Sequence, residues 1–374
     1  MKTDVAELPL VSGYPDLTYL RQALARIGRP FQAAELEQAP LSGGRTGAGI
    51  QQLKVGDASY VVKVFERDRW MDVAMGESNR GEVKLWLSGV TRELPAPLAC
   101  PTIDVAYHPE RGEHWMLMDD VARGIRPRGE FDADDTRTLF RAMARLHARF
   151  WGRDELDALP LASLGALSEV CAQTVLYLSG RREHSPPWVP RVLQGFVVLR
   201  EFVPIFLNTL DARDADFYLE LCSRRSEWLA WLRDVPHTLV HGDLRRANIA
   251  LLPDRVSLFD WELATRGPSA IDVAWHSYLQ FWAYPVADGR GPGDRRPLVD
   301  DYLDHLESEL GERIDRTAFD RALDVCFLKV LVEIGFLLID PLSGKHDRDD
   351  VVRVKARCAD ALALARRVYE QHAR

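Results

Sequence analysis

One polar segment between two apolar runs constrains the fold of this chain more than any other feature. His241, Gly242 and Asp243 follow the apolar run TLV. Asn248 comes five residues after that aspartate, and Asp260 ends the run VSLFD. NIALL, a Pro-Asp turn and VSLFD are typical of a hairpin, which brings Asn248 and Asp260 together. The pattern therefore predicts that the loop of Asp243 and the ends of this hairpin form one site.

The residue types in this segment suit the transfer of a γ-phosphoryl group. That reaction needs a carboxylate beside the attacking hydroxyl and oxygen ligands that hold Mg²⁺ against the β- and γ-phosphates. Asp243 can supply the carboxylate, and Asn248 and Asp260 can supply the ligands. A metal-dependent phosphoester hydrolase is an alternative, in which the carboxylates would bind paired metals together with His241 and His276. The D-x-H and G-N-H segments that such enzymes use do not occur in the sequence.

These segments resemble the aminoglycoside phosphotransferase and choline-kinase-like superfamily. Its signature is H-G-D-x-x-x-x-N, then an Asp-Trp or similar pair, then a glycine and a second aspartate before a helix. Here HGDLRRAN, FDWE and RGPSAIDVAWH stand at those places, and LHARFW is similar to helix sequence of the family. The glycine of H-G-D and the lack of a following A-P-E separate the pattern from eukaryotic-type protein kinases. The core motifs span about residues 41–276.

The resemblance implies an α+β, two-lobed protein-kinase-like fold, and the hydrophobic periodicity agrees with it. Residues 41–65 are typical of strands around a Gly-rich turn, and 114–118 of another strand. We expect a strand-rich nucleotide-binding lobe over residues 1–120 and a larger, mostly helical catalytic and acceptor-binding lobe over 121–374. Helical spacing recurs over 139–151, 192–210, 214–233, 269–284, 317–339 and 351–373.

The resemblance also implies roles for individual residues. Asp243 matches the catalytic base of the family, and Asn248 and Asp260 match its Mg²⁺ ligands. Asp272 matches an aspartate that braces the catalytic loop, although a charge at the start of a helix explains it nearly as well. We interpret His241 as a hydrogen-bond partner that orders the loop rather than as an acid or base.

The first lobe must supply a positive charge for the phosphates of ATP. Lys63 interrupts the apolar strand YVVKVF, and a lysine in that place needs an acidic partner. Glu77 and Glu82 are the candidates. At 100° per residue Glu82 falls on the apolar face of its helix and Glu77 falls opposite, so Glu82 is the predicted partner.

Three other places are expected to contact the nucleotide. Gly43 and Gly44 open a Gly-rich stretch whose amides could approach phosphates, although turns alone explain many such glycines. Met118 and Asp120 lie where the family connects its lobes, and backbone groups there would hold adenine. Arg245, two residues after the expected base, could share the charge of the γ-phosphoryl oxygens, although a surface position fits it as well.

Composition narrows the partners and the compartment. The 48 basic and 56 acidic residues give a net charge of −8, which argues against nucleic acid as a partner. Five scattered cysteines without a C-x-x-C pair favour reduced thiols and a cytoplasmic protein. The N-terminal stretch contains acidic residues and a Gly-Tyr-Pro turn where a signal peptide needs an apolar core. The most apolar stretch, 327–339, contains Lys329 and Glu333 on one helix face and is too short to span a membrane.

The sequence therefore predicts a cytoplasmic kinase, monomeric or homodimeric, that uses ATP and Mg²⁺ to phosphorylate the hydroxyl of a small molecule. The acceptor would be aminoglycoside-like or another alcohol, and the sequence does not identify it. A noncatalytic nucleotide-binding regulator on the same fold is the main alternative. The joint presence of Lys63, Asp243, Asn248 and Asp260 argues against that alternative.

Overall fold

A computed structural model describes most of the chain, and the statements below concern the described residues. They are 8–32, 35–41, 49–67, 69–75, 81–127, 130–280, 296–342 and 348–372. The strands are β1 (Glu37–Pro40), β2 (Gly49–Val55), β3 (Ala58–Phe65), β4 (Leu98–Ala99), β5 (Thr102–His108), β6 (Glu113–Asp119), β7 (Thr238–Val240), β8 (Ile249–Leu251), β9 (Val256–Leu258) and β10 (Thr265–Gly267). The helices are α1 (Leu17–Arg26), α2 (Trp70–Met75), α3 (Gly81–Leu87), α4 (Ala133–Arg149), α5 (Ala166–Leu178), α6 (Val189–Gly195), α7 (Val197–Thr209), α8 (Ala212–Ser223), α9 (Arg225–Ala230), α10 (Ala270–Tyr278), α11 (Arg296–Leu310), α12 (Arg316–Ile334) and α13 (Arg348–His372).

The N-terminal part is built on one antiparallel sheet in the order β1-β2-β3-β6-β5. Strands β2 and β3 form the predicted hairpin, and Gly56 takes the positive φ of 57° that its turn requires. Side chains alternate across the sheet, so Val62 packs with α1 on one face, whereas Phe65 packs with Val83 of α3 on the other. Lys63 shares the face of Phe65, which directs its side chain toward α3.

The C-terminal part is mostly helical, as the sequence predicted. One large apolar core joins α4, α5, α7, α8, α10, α12 and α13. Two short sheets lie beside it: β8 pairs with β9 in the second predicted hairpin, and β7 pairs with β10. The strands β7, β8, β9 and β10 carry the polar loops of the expected site on their ends.

Several expectations can be compared directly with these elements. The α+β class and the strand-rich and helical parts are confirmed. Lys329 and Glu333 are one turn apart in α12 and form a buried ion pair at 2.5 Å, as their spacing predicts. Helices α1, α5 and α11 and strand β5 were not anticipated. The division of the chain at residue 120 stays a prediction.

The cysteines and the apolar helices are the features that the sequence linked to a cellular compartment. All five cysteines are free thiols. In the described ranges no single helix is long and apolar enough to cross a membrane, and α6 with α7 meets that test only as a pair bent by 97°.

Candidate active site

The hairpin of β8 and β9 brings the expected metal ligands to one place. Asn248 directly precedes β8, and its carbonyl accepts a hydrogen bond of 3.2 Å from the backbone N–H of Phe259, just after β9. The amide nitrogen of Asn248 donates to Oδ2 of Asp243 at 2.9 Å and to its carbonyl at 3.0 Å. Arg245 then spans Asp243 and Asp260, so the loop and both ends of the hairpin meet as the spacing predicts.

Gly242 is required by the close approach of two backbones. Its φ is 81°, and a Cβ atom there would lie 2.2 Å from the carbonyl oxygen of Leu263. Asp272, fully buried at the start of α10, accepts hydrogen bonds of 2.9 Å from the backbone N–H groups of His241 and Gly242. One carboxylate therefore fixes the turn that presents the next residue, Asp243.

A second layer of contacts holds this aspartate in turn. Nε2 of His147 on α4 lies 3.2 Å from Oδ2 of Asp272, and its Nδ1 lies 2.8 Å from the hydroxyl of Tyr302 on α11. The hydroxyl of Thr238 donates to the His147 carbonyl at 2.7 Å. No role for His147 or Tyr302 follows from the sequence, because these contacts depend on how α4, α10 and α11 pack.

The contacts of His241 lie within the loop. Its Nδ1 is 3.3 Å from the backbone nitrogen of Asp243, and its Nε2 is 3.1 Å from the carbonyl oxygen of Phe259. The ring packs against Trp261 with centroids 4.5 Å apart. These contacts tie the loop to the strand end, which is what a loop-ordering side chain does.

Lys63 and Glu82 are in contact, as the helical geometry predicts. Nζ of Lys63 lies 2.7 Å from Oε2 of Glu82 and 2.7 Å from Oδ1 of Asp260. The backbone N–H of Asp260 donates to Oε1 of Glu82 at 2.9 Å. Burial lowers the pKa of Lys63, but the charges of Asp260, Glu262 and Glu82 raise it by more, so the ammonium stays protonated.

Asp260 combines an unusual backbone with a strongly ionised side chain. Its φ of 66° makes it the one non-glycine residue with positive φ in the described ranges, a conformation that aspartate tolerates better than most residues. Burial acts to raise the pKa of its carboxyl group, but the charges of Lys63 and Arg245 outweigh burial and lower it to about 2. A permanently ionised oxygen donor of this kind suits a hard cation.

Asn248 supplies a second oxygen donor. Both hydrogen bonds of its amide nitrogen go to Asp243, and the described residues donate no hydrogen bond to its Oδ1. Asn248 and Asp260 therefore fit Mg²⁺, which binds proteins through one or two side-chain oxygens and completes its shell with phosphates and water. In the described part of the chain, no cluster of three or more His, Cys, Asp or Glu side chains is arranged for a metal ion.

The hydrolase alternative finds no support in the histidines. Both ring nitrogens of His241 face backbone groups of the loop. Nδ1 of His276 lies 3.3 Å from the carbonyl oxygen of Leu244, and its Nε2 lies 3.4 Å from the hydroxyl of Thr136. These contacts occupy the nitrogens that a paired-metal site would need.

Arg245 and Arg246 point to different partners. Nε of Arg245 lies 3.1 Å from Oδ2 of Asp243, and its Nη2 lies 3.6 Å from Oδ2 of Asp260. Arg246 donates from Nη1 to the carbonyl of Arg126 at 3.1 Å, away from these two carboxylates. The first arginine thus bridges the expected base and the expected metal ligand.

Met118, Asp120, Gly43 and Gly44 are the other residues that were expected to contact the nucleotide. Met118 lies on β6, next to the central strand β3. The side chain of Asp120 accepts hydrogen bonds from Gln52 of β2 at 2.8 Å and from Ser59 of β3 at 2.7 Å, so it holds the segment after β6 to these two strands. Burial acts to raise the pKa of Asp120, and hydrogen bonds, led by that from Ser59, lower it overall. Gly43 and Gly44 lie outside the described residues.

Two buried charged side chains without a predicted role, Glu262 and Arg69, also belong to this region. Glu262 lies 3.9 Å from Nζ of Lys63 and forms an ion pair of 2.6 Å with Arg69. Glu262 could have been noticed, because it is the last residue of the quoted segment FDWE. No motif in the sequence marks Arg69, although the period is helical from about residue 68 to residue 88.

Comparison with known proteins identifies the family of the chain. A model described as "Phosphotransferase enzyme family" matches residues 37–313, more than half of the chain, so the chain belongs to this family of phosphotransferases. No curated protein matches the sequence.

The chain is also similar to proteins of known structure. A spectinomycin phosphotransferase, in complex with ADP and spectinomycin, has a TM-score of 0.50 at 12% identity, over 94% of this chain and 98% of that chain. This likeness supports the two-lobed, protein-kinase-like fold that the sequence predicts. A microcompartment-associated aminopropanol kinase has a TM-score of 0.47 at 16% identity, over 96% of this chain and 98% of that one. An ethanolamine kinase of Plasmodium vivax has a TM-score of 0.49 at 15% identity, over 92% and 87%.

Proposed function

We propose that this phosphotransferase is an ATP-dependent kinase that transfers the γ-phosphoryl group to a hydroxyl of a small molecule. The contact that carries the proposal is Lys63 held between Glu82 and Asp260, beside the hydrogen-bonded pair of Asp243 and Asn248. Such a site joins a phosphate-binding cation, a candidate general base and two oxygen ligands. Family membership supports the phosphotransferase activity.

Each residue has a distinct task in this proposal. Asp243 orients the acceptor hydroxyl and takes its proton, while the amide of Asn248 fixes one of the Asp243 carboxylate oxygens. Lys63 binds phosphate oxygens and keeps its contact with Glu82. Mg²⁺, held by Asn248 and Asp260, would neutralise charge on the β- and γ-phosphates.

The test is ADP release with a panel of candidate acceptors. The panel contains aminoglycosides, macrolides, choline, amino alcohols and sugars, each assayed with ATP and Mg²⁺. We expect turnover with at least one alcohol and none in excess chelator. Full turnover in chelator would show that the metal assignment is wrong. Nucleotide binding without turnover across the panel would favour the noncatalytic regulator.

The metal ligands have a test of their own. Asp260→Ala should lose both activity and the metal-dependent part of nucleotide affinity, because it removes a charged ligand. Asn248→Ala should have a milder effect on affinity, because the amide oxygen is neutral. Calorimetric binding of ADP with and without Mg²⁺ separates the two. Equal nucleotide affinity of both variants and the wild type in Mg²⁺ would contradict the assignment.

A further inference from the structure

Arg69 is a buried cation to which the proposed reaction gives no task. Its side chain is 2% exposed, and it lies on the connection between β3 and α2. Nη1 is 2.6 Å from Oε1 of Glu262, and Nε is 3.4 Å from Oδ2 of Asp72. The guanidinium also lies 4.7 Å from the centre of the Phe65 ring, and Nζ of Lys63 lies 4.8 Å from the same ring. Two buried cations thus share one aromatic neighbour.

Glu262 connects these two cations. Its side chain is 2% exposed and lies 3.9 Å from Lys63, whose closer partners are Glu82 and Asp260 at 2.7 Å. Apart from the 2.6 Å contact with Arg69, no described residue donates a hydrogen bond to the carboxylate of Glu262. Its negative charge is therefore balanced by Arg69 and, at longer range, by Lys63. Without Arg69, Lys63 would be the cation left for both Glu262 and Glu82, while Asp260 would keep its contact with Arg245 at 3.6 Å.

The position of Arg69 is fixed by the residue that follows it. Trp70 stacks on Phe196 with centroids 5.0 Å apart and an interplanar angle of 13°. It packs so closely on Gly195 that a Cβ atom there would lie 2.4 Å from the indole. The connection from the nucleotide-binding sheet is thus clamped against the helices that follow α5. This packing places the guanidinium of Arg69 beside Glu262.

We propose that Arg69 is a positioning residue for nucleotide binding: it neutralises Glu262, so that Lys63 stays between Glu82 and Asp260 and can donate to phosphates. The inference rests on the proposed function, because it assumes that Lys63 binds the nucleotide. A unit charge left unbalanced about 4 Å from the lysine is large enough to change the affinity for a phosphate by on the order of 10-fold or more.

The experiment measures binding of Mg·ADP by calorimetry, without an acceptor, for the wild type and four variants. Arg69→Met should weaken binding by about 10-fold or more, because Glu262 is left uncompensated. Arg69→Lys should retain most of the affinity, because it keeps the charge. Arg69→Met combined with Glu262→Gln should return to within about threefold of the wild type, because the buried carboxylate is removed with its cation and the other partner, Asp72, is 18% exposed and reaches water. Arg67→Met, an exposed arginine on the same connection, is the matched control and should bind like the wild type.

The outcomes separate this inference from a structural role and from the proposed function. If Arg69 served only as a clamp, the double variant would bind as weakly as Arg69→Met, and that result would overturn the inference. Equal binding by Arg69→Met and the wild type would also overturn it. If Arg69→Met does not fold, the double variant decides, because it also removes the buried carboxylate of Glu262. A wild type that binds no Mg·ADP would instead remove the proposed function itself.

Discussion

Single side chains in this site were predictable where a local pattern marks them. Asp243, Asn248 and Asp260 stand at motif spacing, and the contact of Lys63 with Glu82 follows from helical periodicity. The ion pair of Arg69 and Glu262 was not predictable, because it joins two segments, distant in sequence, whose relative position is set by tertiary packing. A sequence identifies charges in apolar surroundings more readily than it identifies their partners.

The proposed base can be tested by a substitution that keeps its shape. Asp243→Asn should lower kcat by roughly 10²–10⁴-fold, the usual contribution of general-base catalysis, and leave ATP binding largely intact. The loss could fall at the low end of that range, since phosphoryl-transfer transition states are loose. Asp254→Asn, an exposed aspartate in the turn of the same hairpin, is the control. A kcat of Asp243→Asn within tenfold of the wild type would contradict the assignment.

Arg245 and Arg246 form an adjacent pair with different contacts, which makes each the control for the other. Arg245→Ala should lower kcat on the order of 10²-fold with little change in nucleotide affinity, because its guanidinium bridges Asp243 and Asp260 and can share charge in the transition state. Arg246→Ala should have a much smaller effect. Steady-state kinetics that give small, equal effects for both would mean that Lys63 with Mg²⁺ carries the charge.

Some of the strands and helices around the site were predicted from the sequence and others were not. The hairpins β2–β3 and β8–β9 were predicted because period-two patterns and turn residues are local signals. Helix α11 was missed although Leu298, Tyr302 and Leu306 recur at helical spacing and are buried. Helix α5 was missed because neighbouring helices bury it on most sides, which leaves no clear amphipathic pattern. The same dependence hides the contact of His147 on α4 with Asp272 on α10.

Gly242 tests how tightly the catalytic loop is held. Gly242→Ala should lower the free energy of unfolding by roughly 2–4 kcal/mol, because it adds a strained φ and a clash with the Leu263 carbonyl. It should also reduce kcat at least ~10²-fold, because Asp243 is displaced. Gly180, with a φ of 72° and open space around it, is a matched control that isolates backbone strain. Chemical denaturation should show a clearly smaller loss for Gly180→Ala, and equal losses would rule out the clash.

The contact of α10 with the catalytic loop predicts a pH dependence. Burial lowers the pKa of His276 to about 4, against an ordinary value of 6.5. Between these two pH values the unfolded chain binds more protons than the folded chain. The free energy of unfolding is therefore highest above about pH 6.5 and falls as the pH drops toward 4. At pH 5 the expected loss is about 2 kcal/mol. His276→Asn should remove this part of the slope between pH 7 and pH 5, whereas the exposed His184→Asn should leave it. Parallel slopes in both variants would contradict the assignment.

The whole molecule joins two kinds of core. The N-terminal sheet is covered by α1 on one face and α3 on the other, while the helical part has one large core. Apolar burial accounts for most of the stability of such cores, but the larger one also contains a charged pair in its interior. The side chains of Lys329 and Glu333 are 7% and 0% exposed. The hydroxyl of Ser168 on α5 donates a hydrogen bond of 2.5 Å to Oε1 of Glu333.

This pair links α12 to α5, so its removal should affect the stability of the whole helical part. Lys329→Met leaves the Glu333 carboxylate buried without a counter-charge and should cost about 3–5 kcal/mol. Lys329→Met with Glu333→Gln leaves no buried charge and keeps an acceptor for Ser168, so its free energy of unfolding should lie within about 1–2 kcal/mol of the wild type. Denaturant unfolding of both variants measures the difference. A double variant less stable than Lys329→Met would mean that the pair stabilises the core by its mutual attraction, rather than being tolerated because each charge needs the other.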